Sequence, residues 1–222
     1  MLYLTMDQTQ TLPVLNDSEL RVLGVLIEKS RTTPEYYPLT LNSLTIACNQ
    51  KTARKPVVDY DDEVVITALD TLKRKGLIST ATGGSSRATK YKHNFAIVFP
   101  VVPAELAIIS LLILRGPQTP GELNTNSGRL YEFETLDEVQ EILDKLATEE
   151  PHYLQQLPKR PGQKEARYMH LLGGSFDVND EESFAEPVRR SSGELENRVA
   201  ILEQELAELK EAFNKLMKEL MG

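Results

Sequence analysis

Cys48 is the chain's one thiol, and His93, His152 and His170 are its three imidazoles. A cysteine nucleophile needs a base or a positive neighbour to hold it as thiolate, and a zinc site needs Cys and His ligands at short paired spacings. Neither pattern occurs. Cys48 follows Leu44, Ile46 and Ala47 with no histidine near it in sequence, and reads as a buried apolar residue. His93 and His170 hold matching places in a sequence repeat, which assigns them to strands and not to a metal. Gly83-Gly84 is too short to cradle a phosphate, and no Walker or Rossmann pattern occurs. The reading is a non-enzyme with no catalytic residue, metal or cofactor.

The chemistry left is that of cations against phosphate. Lys51, Arg54 and Lys55 follow one short apolar stretch; Lys73, Arg74 and Lys75 end another; Arg87, Lys90 and Lys92 lie on a candidate hairpin. Facing one side, these residues would make on the order of 6–10 phosphate contacts. Thr67, Asp70, Thr71 and Arg74 share one helix face, and Arg74 suits bidentate pairing with guanine. Arg87, beside Gly83-Gly84, suits a wing tip. Two observations oppose this reading. Lys and Arg at a helix C-terminus are favoured by the helix dipole without any partner. Asp59, Asp61, Asp62 and Glu63 open the same helix, where they would repel phosphate unless they serve as caps.

Charge is unevenly spread over the 222 residues, whose formal net charge is −8. Residues 16–100 hold 12 Lys and Arg against 9 Asp and Glu, residues 101–173 hold 7 against 11, and residues 174–222 hold 6 against 12. The basic first part and the acidic remainder point to different partners. The longest apolar run, Leu106–Leu114, is broken by Ser110 and is about half of the ~20 residues a membrane span needs. A single cysteine and no basic-then-apolar leader fit a cytoplasmic protein without disulfides.

The elements that would position the cations are given twice. SELRVLGVLIEKS (18–30) and AELAIISLLILRG (104–116) read as apolar helices, the first boxed by Asn16 and Glu19, the second ended by Gly116 and Pro117. Thr33-Pro34 and Thr119-Pro120 follow them. A second helix begins at Thr40 in one copy and is capped by Thr119, Pro120 and Glu122 in the other, so TPEYYPL is an insertion. The third helices, 64–78 and 135–147, bury Val65, Leu69 and Leu72, and Val139, Ile142, Leu143 and Leu146; Thr135 and Glu138 box the latter. Each copy ends in a hairpin, with Tyr91-Lys92-His93 matching Tyr168-Met169-His170. Three helices and a hairpin, twice, predict a mainly α fold with small β hairpins (α+β): two tandem winged-helix domains, which present the third helix and hairpin turn to DNA. The boundaries are 1–15 for an N-terminal extension, 16–100 and 101–173 for the domains, 174–193 for a flexible linker and 194–222 for a coiled-coil helix. Tyr36 and Tyr37 are expected to cover the core or a neighbouring surface.

LIEKSRTTPEYYPLTLNSLTIACNQKTARKPV resembles the signature region of the YceH family of bacterial proteins, and LLILRGPQTPGEL, RLYEFETLDEV and RYMHLLGG agree with it in order. The resemblance covers roughly residues 15–174 and implies a tandem winged-helix protein. It carries over no catalytic residue and implies no activity.

In the tail, Leu195, Leu202, Leu209 and Leu216 recur every seven residues, interleaved by Val199, Leu206, Phe213 and Leu220. That pattern marks a coiled-coil seam. Arg198 with Glu203, and Glu205 with Lys210, then fall on facing g and e positions of a parallel homodimer; the alternative is one helix folded back on its own chain. For function, the first domain is expected to bind DNA, with the second packed on it or on a partner. The alternative is a scaffold that binds other proteins through both domains.

Overall fold

The structure, a computed structural model, describes residues 11–81, 88–159, 163–174 and Lys210. All but Lys210 lie in the compact unit Met1–Asp180; the other unit is Glu181–Gly222. The fold is α+β, with helices and small antiparallel sheets. Among the described residues no helix is long and apolar enough to cross a membrane.

Helix α1 (Asp17–Thr32) starts at a closed capping box, in which Asn16 and Glu19 exchange 2.9 Å bonds. A 3₁₀ turn (Pro34–Tyr36) leads through Pro38 to β1 (Leu39–Thr40) and α2 (Leu41–Cys48), capped by Thr40. Helix α3 (Asp62–Arg74) begins two residues before its first apolar residue, because Asp61 caps it through Val64 N–H at 2.9 Å. It stops before Gly76, whose φ of 73° turns the chain into β2 (Ile78–Ala81), so residues 75–78 are not helical as the sequence led us to expect. Strand β3 (Lys90–His93) is central in the order β1-β3-β2, with Leu39 opposite Tyr91 and Ile78 opposite His93. A short helix, α4 (Phe95–Val98), follows.

The order then recurs as α5 (Pro103–Arg115), α6 (Pro120–Ser127), α7 (Leu136–Thr148), β4 (Leu154–Gln156) and β5 (Tyr168–His170). Gly116, at φ 75°, ends α5, and the Thr119–Glu122 box on α6 is closed. On α7 Thr135 caps Glu138 N–H at 3.1 Å, but the Glu138 carboxylate turns to Glu134 N–H at 2.9 Å, so that box stays open. Leu154 opposite His170 repeats Ile78 opposite His93, and the Gln118–Tyr168 bridge stands where β1 meets Tyr91. Of the adjacent tyrosines, Tyr37 packs on the core and its hydroxyl accepts His93 N–H at 2.7 Å, while Tyr36 is 72% exposed.

One core runs through both series. Helices α1 and α5 cross at Gly24 and Ser110, where Ser110 Oγ donates to Gly24 C=O at 3.4 Å. Tyr153 meets Phe95 and Phe99 at centroid distances of 6.5 and 6.1 Å. A Cβ at Gly24 would stand 2.7 Å from Ile113 Cγ2 and 2.9 Å from Leu114 Cδ2. Both are buried, branched side chains. Overpacking costs about 1–3 kcal/mol, against about 1 kcal/mol gained from alanine's helix propensity. Gly24→Ala is therefore expected to lower the urea midpoint slightly, and Gly24→Val to lower it much further.

Candidate nucleic-acid interface

The α3–β2 connection positions the first group of cations. Leu77 N–H donates to Leu72 C=O and Gly76 N–H to Lys73 C=O, both at 3.0 Å, which closes a tight turn below the helix end. Asn94 clamps that turn, donating from its backbone to Leu77 C=O at 2.7 Å and from Nδ2 to Gly76 C=O at 3.3 Å. Lys73 and Arg74 leave this turn exposed. With Asp70 they line an open cleft of about 520 Å³. On β3 the alternation of a strand sends Tyr91 toward the core and Lys90 and Lys92 to the outward face. Lys92 stands opposite Ser79 and Lys90 opposite Ala81. Lys51 is exposed on the α2–α3 loop. None of these five cations makes an ion pair among the described residues.

Two cations that the sequence assigned to this surface are not available to it. Arg54 is 6% exposed and grips both oxygens of Glu28, at 3.0 and 2.6 Å, together with Gln50 Oε1 at 2.9 Å and the carbonyls of Ala53 and Ala47 at 2.9 and 3.3 Å. Burial works against the Glu28 carboxylate, but Arg54, with Lys29 beside it, outweighs burial and holds its pKa below the usual range. Lys75 donates to both oxygens of buried Glu19 at 2.8 and 2.9 Å and to Val14 C=O at 3.1 Å. Burial again opposes the Glu19 charge, and Lys75, Asn16 and Thr71 lower its pKa in spite of it. Lys75 answers a buried carboxylate and Arg54 a half-buried one, and a carboxylate so placed is costly to leave unpaired.

Thr67 is exposed and its hydroxyl donates to Glu63 C=O at 2.9 Å. Thr71 is half-buried, donates to Thr67 and Ala68 C=O, and faces Glu19, so it braces the cap of α1. Of the four acids at the start of α3, Asp61 is the cap and Asp62 accepts Thr45 Oγ1–H at 2.6 Å, tying α2 to α3. Asp59 and Glu63 are exposed. Arg87 lies outside the described residues, as do Leu195, Val199, Leu202, Leu206, Leu209, Phe213, Leu216 and Leu220 of the expected seam; Lys210 is helical and exposed.

The second series differs at the matching positions. Where the first has Lys73, Arg74 and Lys75, it has Ala147, Thr148 and Glu149, and Lys92 is matched by Met169, which is 7% exposed. Arg167, the counterpart of Lys90, binds both oxygens of Glu122 at 2.9 Å and Pro117 C=O at 2.8 Å.

The family described as "Protein of unknown function, DUF480" matches residues 15–163. The chain belongs to the DUF480 family. The UPF0502 protein of Opitutus terrae is 49% identical over 179 residues, covering 80% of this chain and 78% of its own. The UPF0502 protein YceH of Escherichia fergusonii is 44% identical over 211 residues, covering 93% and 97%. The UPF0502 protein of Shewanella piezotolerans is 48% identical over 208 residues, covering 88% and 94%. These names state no reaction, substrate or ligand.

In this DUF480 chain the polar groups that sequence reasoning missed lie beneath the loop carrying Lys51. Arg21 is 4% exposed and donates to Cys48 C=O at 3.4 Å and to Pro56 C=O. Asn49 exchanges 2.7 and 2.8 Å bonds with the backbone of Tyr60. Arg21 recurs at helical spacing with Val22 and Val25 on the apolar helix α1, so its charge had to be buried with them. Cys48 is buried and its thiol is pushed up to about 12 by burial, against the pull of Arg21 and Arg54. It is a thiol, not a thiolate, at neutral pH. The Nδ1 atoms of His93 and His170 are buried without a partner, and burial pushes both imidazoles down to about 4.

Proposed function

We propose that this chain is a DNA-binding protein of two winged-helix units, residues 16–100 and 101–173, of which the first contacts duplex DNA. The observation that carries the reading is the contrast between the copies. Lys73, Arg74, Lys90 and Lys92 have no ion pair among the described residues and lie on adjoining elements of the first, where the second has neutral, acidic or internally paired residues. Support for the winged-helix assignment comes from the strand order β1-β3-β2 and from its echo in the Gln118–Tyr168 bridge. A cytoplasmic location and self-association through the tail, with Leu195 to Leu220 as its seam, belong to the same reading. A tail-joined dimer doubles the phosphate contacts.

Fluorescence anisotropy with a mixed-sequence duplex tests the proposal. About four phosphate contacts give a salt slope near −4 and a roughly 100-fold loss of affinity between about 50 and 200 mM salt. Lys73→Ala/Arg74→Ala, with or without Arg87→Ala, is expected to lower affinity at least about tenfold and to flatten that slope. No binding by the wild type at about 50 mM salt overturns the proposal. That outcome favours the scaffold reading, which has its own support: Ile46, Val57 and Ile66 are 63%, 55% and 41% exposed on α2, its following loop and α3. A protein partner would cover such residues.

A further inference from the structure

We infer that the first series grips DNA by the C-terminal turn of α3 and the outward face of β3, and keeps the N-terminal end of α3 out of the groove. The inference rests on the DNA-binding reading and specifies how that surface docks.

Helix α3 is electrically polar in a sense that opposes entry by its start. Asp59, Asp61, Asp62 and Glu63 surround its first turn, and Lys73 and Arg74 its last. Capping Val64 N–H and holding Thr45 keep Asp61 and Asp62 in place without neutralising them, and Asp59 and Glu63 have no cation against them among the described residues. At 1.5 Å per residue, Glu63 and Arg74 are about 16 Å apart along the axis, roughly two Debye lengths at physiological salt. The two ends therefore meet a phosphate backbone as separate charges. Entry by the N-terminus would bring a carboxylate cluster against the phosphates. Entry by the other end brings Lys73 and Arg74, with Asp70 as the nearest acid on that helix.

The path from that end continues onto the sheet. The turn clamped by Asn94 delivers the chain from Arg74 into β2 within four residues, and Ser79 on β2 pairs with Lys92. Lys90 follows two residues away on the same outward face, because Tyr91 between them points to the core. The cationic surface thus runs from the helix end onto the central strand. On this docking, sequence reading falls to Arg74. Thr67, back toward the acidic end, makes no base contact.

The test compares four full-length proteins on one labelled mixed-sequence duplex: wild type, D59N/E63Q, K90A/K92A and K73A/R74A. Thermal unfolding of each confirms an intact fold. D59N/E63Q is expected to bind within about twofold of wild type, while each lysine or arginine pair weakens binding at least about tenfold and reduces the salt slope by about two. A rise of about tenfold or more in D59N/E63Q, or unchanged binding by K90A/K92A, overturns this docking and leaves DNA binding standing. A wild type that does not bind sinks both.

Discussion

Arg54→Ala is expected to lower the unfolding free energy by about 3–5 kcal/mol, the cost of stranding a buried charge. Glu28 would be left with Lys29, at 3.2 Å, as its remaining ion pair among the described residues. The carbonyls of Ala47 and Ala53 and the Gln50 side chain would lose their donor too. Arg54→Lys offers one point charge in place of a planar fork, and is expected to recover a minor part of the loss. Removing both charges, as Glu28→Leu/Arg54→Met, is expected to recover much of it, because no ion remains to be desolvated. Urea unfolding reads the series. If Arg54 met phosphate instead, the alanine variant would lose about one unit of salt slope and less than about 1 kcal/mol of stability.

Acid is expected to destabilise the fold well before its carboxylates titrate. His93 and His170 have folded pKa values pushed down to about 4 by burial, against 6.5 ordinarily. Between those values the unfolded chain takes up protons that the folded chain refuses, so stability is complete above about pH 6.5, falls as pH drops toward 4, and is level below that for these groups. For His170, which is 3% exposed, the loss by pH 4.5 is on the order of 2–3 kcal/mol; His93, less buried, contributes less. Glu19 and Glu28, whose pKa values are lowered, take over below 4.5. Urea unfolding at pH 7.5, 5.5 and 4.5 should show this fall, and His170→Gln should remove more than half of it. An equal slope in the variant would mean that His170 is not the group charging.

Periodicity and caps made most of the helices legible. Asn16 with Glu19, Thr119 with Glu122, and the apolar stripes of α3 and α7 lie where the sequence put them. Boundaries failed where local chemistry competed with pattern. Asp61 extended α3 at its start and Gly76 cut it short at its end. The two-residue strand β1 carries no periodic signal of its own and exists because β3 offers it a ladder. The site was legible as composition and less so as geometry. A run such as Lys73-Arg74-Lys75 says nothing of which member reaches a buried acid, and Glu19, 56 positions away from Lys75, decides that. Arg54 was misread for the same reason, since its partner Glu28 lies 26 positions away on helix α1.

The crossing of α1 and α5 at Gly24 and Ser110 joins equivalent residues of the two copies, the geometry an isologous homodimer makes about its two-fold axis, here closed within a single polypeptide. Each copy supplies hydrocarbon that shields the other. Deletion of the second copy would therefore bare the flank of the first.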